Sequence, residues 1–397
     1  MKRTGLLFIL LLFILGCKNF NKINLSFYYN DSYDVELFLE KKINTFTKNN
    51  PDIQINAIKK SKNDFLNDLN KNKKKIDFIR YPSTFLSEFT DAKILKSCND
   101  VFEKKFIDKI SPEALQTTTI QNQLWGIPDN YINYPLLFYN KSIIKEPPKD
   151  TNELINKNNQ LRYKYNNLGI FINLKEPFFI YPWINGFGAD LLNRENKTLN
   201  INQKPVIDAL QFIYDLKYKY KIIPQNFNQN EIKYHITNNN IFFIIDGDWS
   251  LNFYQKILGD NLGLSLIPPV INLKEDTYIS ISTMCYSIMK TTNKRKTKAI
   301  KKFFNYILSK EVANEWIQNG RISTLKNLGK ENNNDLLFNA LYDIPLKSKP
   351  YSLNINIINK ALRPQLEKLI DGKISPKFAA KNAQEDLEKF TNNYRLK

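Results

Sequence analysis

Between Ile23 and Tyr81 short apolar stretches alternate with amphipathic ones at a spacing that leaves few folds open. Ile23-Asn24-Leu25-Ser26-Phe27-Tyr28-Tyr29 has the alternation of a strand. After the polar turn Asn30-Asp31-Ser32, the residues Val35, Leu37, Phe38, Leu39, Ile43 and Phe46 follow a helical repeat that Pro51 ends. Ile53 to Ile58 reads as a second strand, Asp64 to Leu69 as a second helix and Ile76 to Tyr81 as a third strand. Parallel strands need crossover segments between them, so this order predicts an α/β chain with a mainly parallel sheet and right-handed crossovers. Open sheets of this kind bind ligands beyond the carboxyl ends of their strands. Tyr81 and Ser83 then share a crevice with the turn around Asp31.

A second strand-to-helix junction carries more chemistry. The apolar run Leu168 to Leu174 stops, and Lys175-Glu176-Pro177-Phe178-Phe179-Ile180-Tyr181-Pro182-Trp183 follows at once. Pro177 suits the first helical position, where its missing N–H would be unpaired in any case. A carboxylate and several rings thus meet beyond a strand end. Rings that cover a C–H face and acceptors that take hydroxyls suit a sugar. Phe178, Phe179 and Trp183 also read as plain core residues. Further on, the apolar run Ile241 to Ile245 ends in Asp246-Gly247-Asp248-Trp249, a polar turn that would bring an indole out at the sheet edge.

At 397 residues, 42% of them hydrophobic, the chain can bury cores for two or three domains. Its 58 basic and 39 acidic groups give a formal charge of +19. Lysines far outnumber arginines, whereas phosphate and base recognition favours Arg. Nucleic acid is therefore not the expected partner, and an anionic membrane surface suits the charge better. Cys17, Cys98 and Cys285 are too sparse for a disulfide framework and lack metal-ligand spacing; with His235 the lone histidine, neither a metal centre nor a cofactor is expected. His235 falls in a polar run, Asn228 to Asn240, that reads as a solvated segment. Nothing sets two carboxylates at a glycosidase separation, so the expectation is a binder and not an enzyme.

Met1-Lys2-Arg3-Thr4 followed by the apolar run Gly5 to Gly16 and then Cys17 resembles a bacterial lipoprotein signal peptide. The run is shorter than the roughly 20 residues that span a bilayer. Cleavage before Cys17 would make it the acylated amino terminus and lower the charge from +19 to +17 (19 − 2).

Leu124-Trp125-Gly126-Ile127-Pro128, then Leu136-Leu137-Phe138-Tyr139-Asn140-Lys141, Pro147-Pro148 and Thr151-Asn152-Glu153-Leu154 resemble family 1 of the extracellular solute-binding proteins, the maltose-binding-protein-like lipoproteins of ABC transporters. Glu176-Pro177-Phe178-Phe179, Asp246-Gly247-Asp248-Trp249 and Gly372-Lys373-Ile374-Ser375-Pro376 extend the likeness to the end of the chain. The resemblance implies a two-lobe α/β periplasmic-binding-protein fold, with hinge crossings at Asn130 to Tyr134, Gly263 to Pro269 and Asn319 to Thr324. The implied division is residues 1–16 as signal peptide, 17–131 plus 269–319 as one lobe and 132–268 plus 320–397 as the other.

By the same resemblance, Glu176 and Phe178 contact a ligand on which Trp249 stacks. Tyr81 stands in for a further stacking ring, Asn133 falls near a glutamate position, and Ser83 and Thr84 fall where the family has charged groups. Asp31 and Phe179 complete the expected site. Near the carboxyl terminus Tyr351, Leu353 and Asn354 occupy the region of another stacking ring. The implied function is a lipid-anchored, extracytoplasmic, monomeric receptor that delivers a carbohydrate or similar polar solute to ABC permease subunits. Two alternatives stay open. One is a binder of a phosphorylated solute such as a glycerol phosphate ester, for which Arg80 and Lys175 are the nearby cations; the other is a surface lipoprotein that kept the fold without transport.

Overall fold

The computed structural model describes residues 22–71, 75–165, 168–189, 191–193, 198–224, 231–270, 279–326, 328, 341, 344–346, 348–351 and 354–395. Met1 to Gly16, Cys17 and Leu353 lie outside the described residues. The chain divides into two compact units, one holding everything described up to Ile79 together with Thr291–Tyr306, the other Arg80–Lys290 and the chain from Ile307 onward.

In the first unit β1 (Ile23–Tyr29), α1 (Tyr33–Asn49), β2 (Ile53–Lys59), α2 (Lys62–Asn70) and the start of β3 (Phe78–Pro82), whose last three residues belong to the second unit, follow the expected order. β1 and β2 are parallel from Ile23 opposite Ile53 to Tyr29 opposite Lys59, and β3 lies on the other side of β1. Helix α1 crosses between them. Its Val35, Leu39, Ile43 and Phe46 are buried at helical spacing, and Asp34 and Glu36 in its first turn oppose the positive end of the helix dipole. Ser61 caps α2, its hydroxyl accepting from the Asp64 N–H. Phe27 stacks on Phe78 at 4.4 Å, and Phe78 and Phe46 both meet Phe303 of the helix Lys294–Ile307. The Asp77 carboxylate fastens the same segment, accepting from the Ser26 N–H and pairing with Lys296 at 2.7 Å.

In the second unit β4 (Ile127–Ile132), β5 (Pro135–Asn140), β6 (Gly169–Phe171), β7 (Ile241–Gly247), β8 (Leu262–Leu266), β9 (Ile279–Ile288) and β10 (Ser348–Pro350) form two groups. β5 is antiparallel to both β7 and β8, and β6 joins β7 in parallel, giving the order β8-β5-β7-β6. β9 runs antiparallel to β4 and parallel to β10. Every residue of β7 is buried, as a continuously apolar strand with both faces covered requires. The helices α3 (Pro177–Gly186), α4 (Lys204–Tyr218), α5 (Ile355–Ile370) and α6 (Pro376–Arg395) share one core with this sheet, built from Leu137, Phe243, Ile245, Ile180, Ile184, Ile213, Leu362 and Leu366. Ala379, Ala380 and Ala383 are buried where α6 meets α5, small enough to let the helices close together.

Two readings from the sequence change. The strand expected from Leu168 to Leu174 is only Gly169–Phe171; the chain turns soon after it, where Asn173 accepts the Lys175 N–H on its side-chain oxygen. The run around His235 is not simply solvated, because Ile232–Thr237 forms a helical turn that buries Ile232 and Ile236, an i,i+4 pair.

Candidate solute site at the ends of β5 and β7

Register builds the site. Gly247 at the end of β7 sits opposite Pro135 at the start of β5, so the turn before Pro135 meets the turn after Gly247. In the first of these Asn133 holds a left-handed φ of 58°, a conformation Asn tolerates better than most residues. Three of its polar groups are committed. Its N–H donates to Asp248 Oδ1 at 2.9 Å, its side-chain amide to Ser282 Oγ at 2.9 Å, and its carbonyl accepts from the Tyr351 hydroxyl at 3.0 Å.

Asp248, 5% exposed, is the centre of this arrangement. Its Oδ1 also accepts from the Tyr134 N–H at 3.3 Å, and its Oδ2 pairs with Arg321 at 3.1 Å. Burial pushes the carboxyl up to about 6, while Arg321 and the N–H groups of Tyr134 and Asn133 pull the other way. Burial likewise raises the Tyr134 and Tyr351 hydroxyls. Gly320, with a φ of 74°, turns the chain into Arg321.

Next in sequence stands Trp249, in a single helical turn Asp248–Ser250 and 48% exposed. Its indole lies over Gly247 so closely that a Cβ there would come within 2.4 Å of the ring. Phe178 meets it with ring centroids 4.9 Å apart and planes at 41°. Phe178 is only partly buried, whereas Phe179 and every other residue of α3 are buried. The one ring that α3 shows outward is therefore the one that reaches Trp249. Glu176 precedes the helix and holds Arg363 of α5 in a bidentate pair at 3.0 and 2.6 Å. That bond raises the already high pKa of Arg363. A carboxylate has about four acceptor positions, so this pair still offers acceptors and donors to a polar ligand near the partly buried Phe178 and the half-exposed Trp249.

The profile of the bacterial extracellular solute-binding proteins matches residues 41–334. The chain belongs to that family. This places the solute-binding protein outside the cytoplasm. It is 23% identical over 318 residues to the arabinooligosaccharide-binding protein of Halalkalibacterium halodurans, spanning 71% of this chain and 69% of that one. It is 22% identical over 206 residues to the maltotriose-binding protein of Pyrococcus abyssi, spanning 49% of this chain but only 42% of the relative. Among solved structures, the maltose/maltodextrin-binding domain MalE of Bdellovibrio bacteriovorus bound to maltotriose superposes with a TM-score of 0.77 at 23% identity, covering 93% of this chain and all of that one. The two-lobe α/β binding-protein fold is thus the fold of this chain.

The other residues named from sequence have different settings in the solute-binding protein. Tyr81 is 2% exposed, its ring packed on Phe85 and Phe89. Ser83 is buried and its hydroxyl accepts the Thr283 N–H, while the Thr84 carbonyl accepts from Asn356. Asp31 is half-buried in the turn after β1, in the first unit. Arg80 is fully buried, gripping Asp129 in a bidentate pair and Asn130 at 2.6 Å between the rings of Tyr286 and Trp316. Lys175 pairs with Asp371 at 2.6 Å. Sequence reasoning quoted Asp248 without giving it a role and missed Arg321 and Arg363; only the Gly320-Arg321 step could have drawn attention to one of them.

Proposed function

We propose that this protein is the substrate-binding component of an ABC importer, lipid-anchored through Cys17, that binds a neutral carbohydrate and delivers it to membrane permease subunits without transforming it. The observation that carries this reading is the Phe178–Trp249 pair, a partly buried ring against a half-exposed indole, with the Glu176–Arg363 pair at the start of the same helix as Phe178. Such rings suit the C–H face of a sugar, and the ion pair suits its hydroxyls. The names of relatives and structural neighbours, which bind maltotriose and arabinooligosaccharides, agree with it. A phosphorylated solute is less well served, because Arg80 is locked in the core on Asp129, and Lys175, Arg321 and Arg363 are each already paired with a carboxylate.

A thermal-shift screen against neutral sugars, polyols and sugar phosphates tests the reading. A ligand at about 100 times its Kd adds about 2.7 kcal/mol of stability. A shift with a neutral oligosaccharide is the expected result; shifts confined to phosphate esters would favour the other solute class. Cys17→Ser should abolish palmitate labelling and release the protein from the membrane fraction, and retained labelling would rule out the anchor.

A further inference from the structure

We propose that Asp248 and Arg321 are positioning residues of the solute site, fixing the turn that carries Trp249 to two stretches of chain distant in sequence. The inference rests on the sugar-binding reading of that site. The indole has few attachments of its own: it is half-exposed and touches Phe178 and the bare backbone of Gly247. The residue before it is tied on every side. The Asp248 N–H donates to the Tyr134 carbonyl at 3.1 Å, Oδ1 takes the N–H groups of Asn133 and Tyr134, and Oδ2 takes Arg321.

The two stretches that receive these bonds are themselves paired. The Tyr131 N–H donates to the Ile322 carbonyl at 2.9 Å, the Thr324 N–H to the Asp129 carbonyl at 3.1 Å, and Asn130 bridges Ser323. Asp248 therefore joins the ring-bearing turn to a two-stranded unit as one construction. A buried ion pair is a poor way to gain stability alone, since apolar residues of similar volume serve as well or better. What the pair adds is a fixed direction: a carboxylate with three donors aimed at it holds the turn in one orientation.

Incorporating 5-fluorotryptophan gives one fluorine resonance for each of the four tryptophans, that of Trp249 assigned by Trp249→Phe. In Asp248→Ala and in Arg321→Met the Trp249 resonance should shift and broaden while those of Trp125 and Trp183 stay in place, and maltotriose affinity should fall tenfold or more. The double variant Asp248→Ala/Arg321→Met removes both charges and so should recover most of the melting temperature lost in the single variants. If the pair positions the ring, the Trp249 resonance stays displaced in the double variant despite that recovery. If the resonance returns to the parent position, or if none of the variants folds, the pair is only a structural staple and the proposal fails. A parent protein that does not bind maltotriose would count against that sugar as solute, while the fluorine spectra would still decide the positioning role.

Discussion

Burial makes the Asp248 carboxyl hold its proton up to about pH 6, against an ordinary value of 3.8, although Arg321 faces it with a full positive charge and the hydroxyls of Tyr134 and Tyr351 stand nearby. Between pH 3.8 and about 6 the folded protein keeps a proton that the unfolded chain has lost, so this group's contribution to stability declines as pH rises through that window. At 1.36 kcal/mol per pH unit, the decline amounts to about 3 kcal/mol. Urea unfolding of the protein and of Asp248→Asn across this range isolates the effect. The difference in stability between them should fall by about that amount and level off above pH 6. A difference that does not vary with pH would mean that Asp248 titrates normally.

At the scale of elements, the end of β7 places the indole. Gly247 has an ordinary extended backbone, φ −80° and ψ 162°, so alanine there strains nothing in the chain. Its Cβ would instead strike the Trp249 ring. Gly247→Ala should therefore leave the melting temperature close to that of the parent and weaken solute binding by displacing the ring, which titration calorimetry would read; unchanged affinity would show that the indole's seat on Gly247 is irrelevant. Much at this scale was legible in the sequence. β1 spans the residues its alternation predicts, β7 contains the apolar run Ile241 to Ile245, and α3 begins at Pro177. These features are local, set by period and by proline stereochemistry. The polar wiring was not legible, because its partners are remote: Asn133 bonds to residues 115, 149 and 218 positions away, and Glu176 to one 187 away. Tyr81 shows the same limit, since a ring at a strand end is visible in sequence but its covering by Phe85 and Phe89 is not.

At the scale of the whole molecule, a two-lobe binding protein works by changing shape around its solute, because binding favours whichever arrangement touches the ligand most. Solution scattering at saturating sugar should show a smaller radius of gyration than without it, and an unchanged radius would count against a closing receptor. The +19 charge does not conflict with a neutral solute, since the cations at and around the site, Arg80, Lys175, Arg321 and Arg363, are each paired with a carboxylate. On the proposed reading the solute rests on Trp249. Calorimetric titration of the parent protein and of Trp249→Ala, with the sugar giving the largest thermal shift, tests it most directly. The variant should melt normally but lose roughly 2 to 4 kcal/mol of binding, about thirtyfold to several hundredfold in Kd. A variant that binds the sugar as tightly as the parent would contradict it.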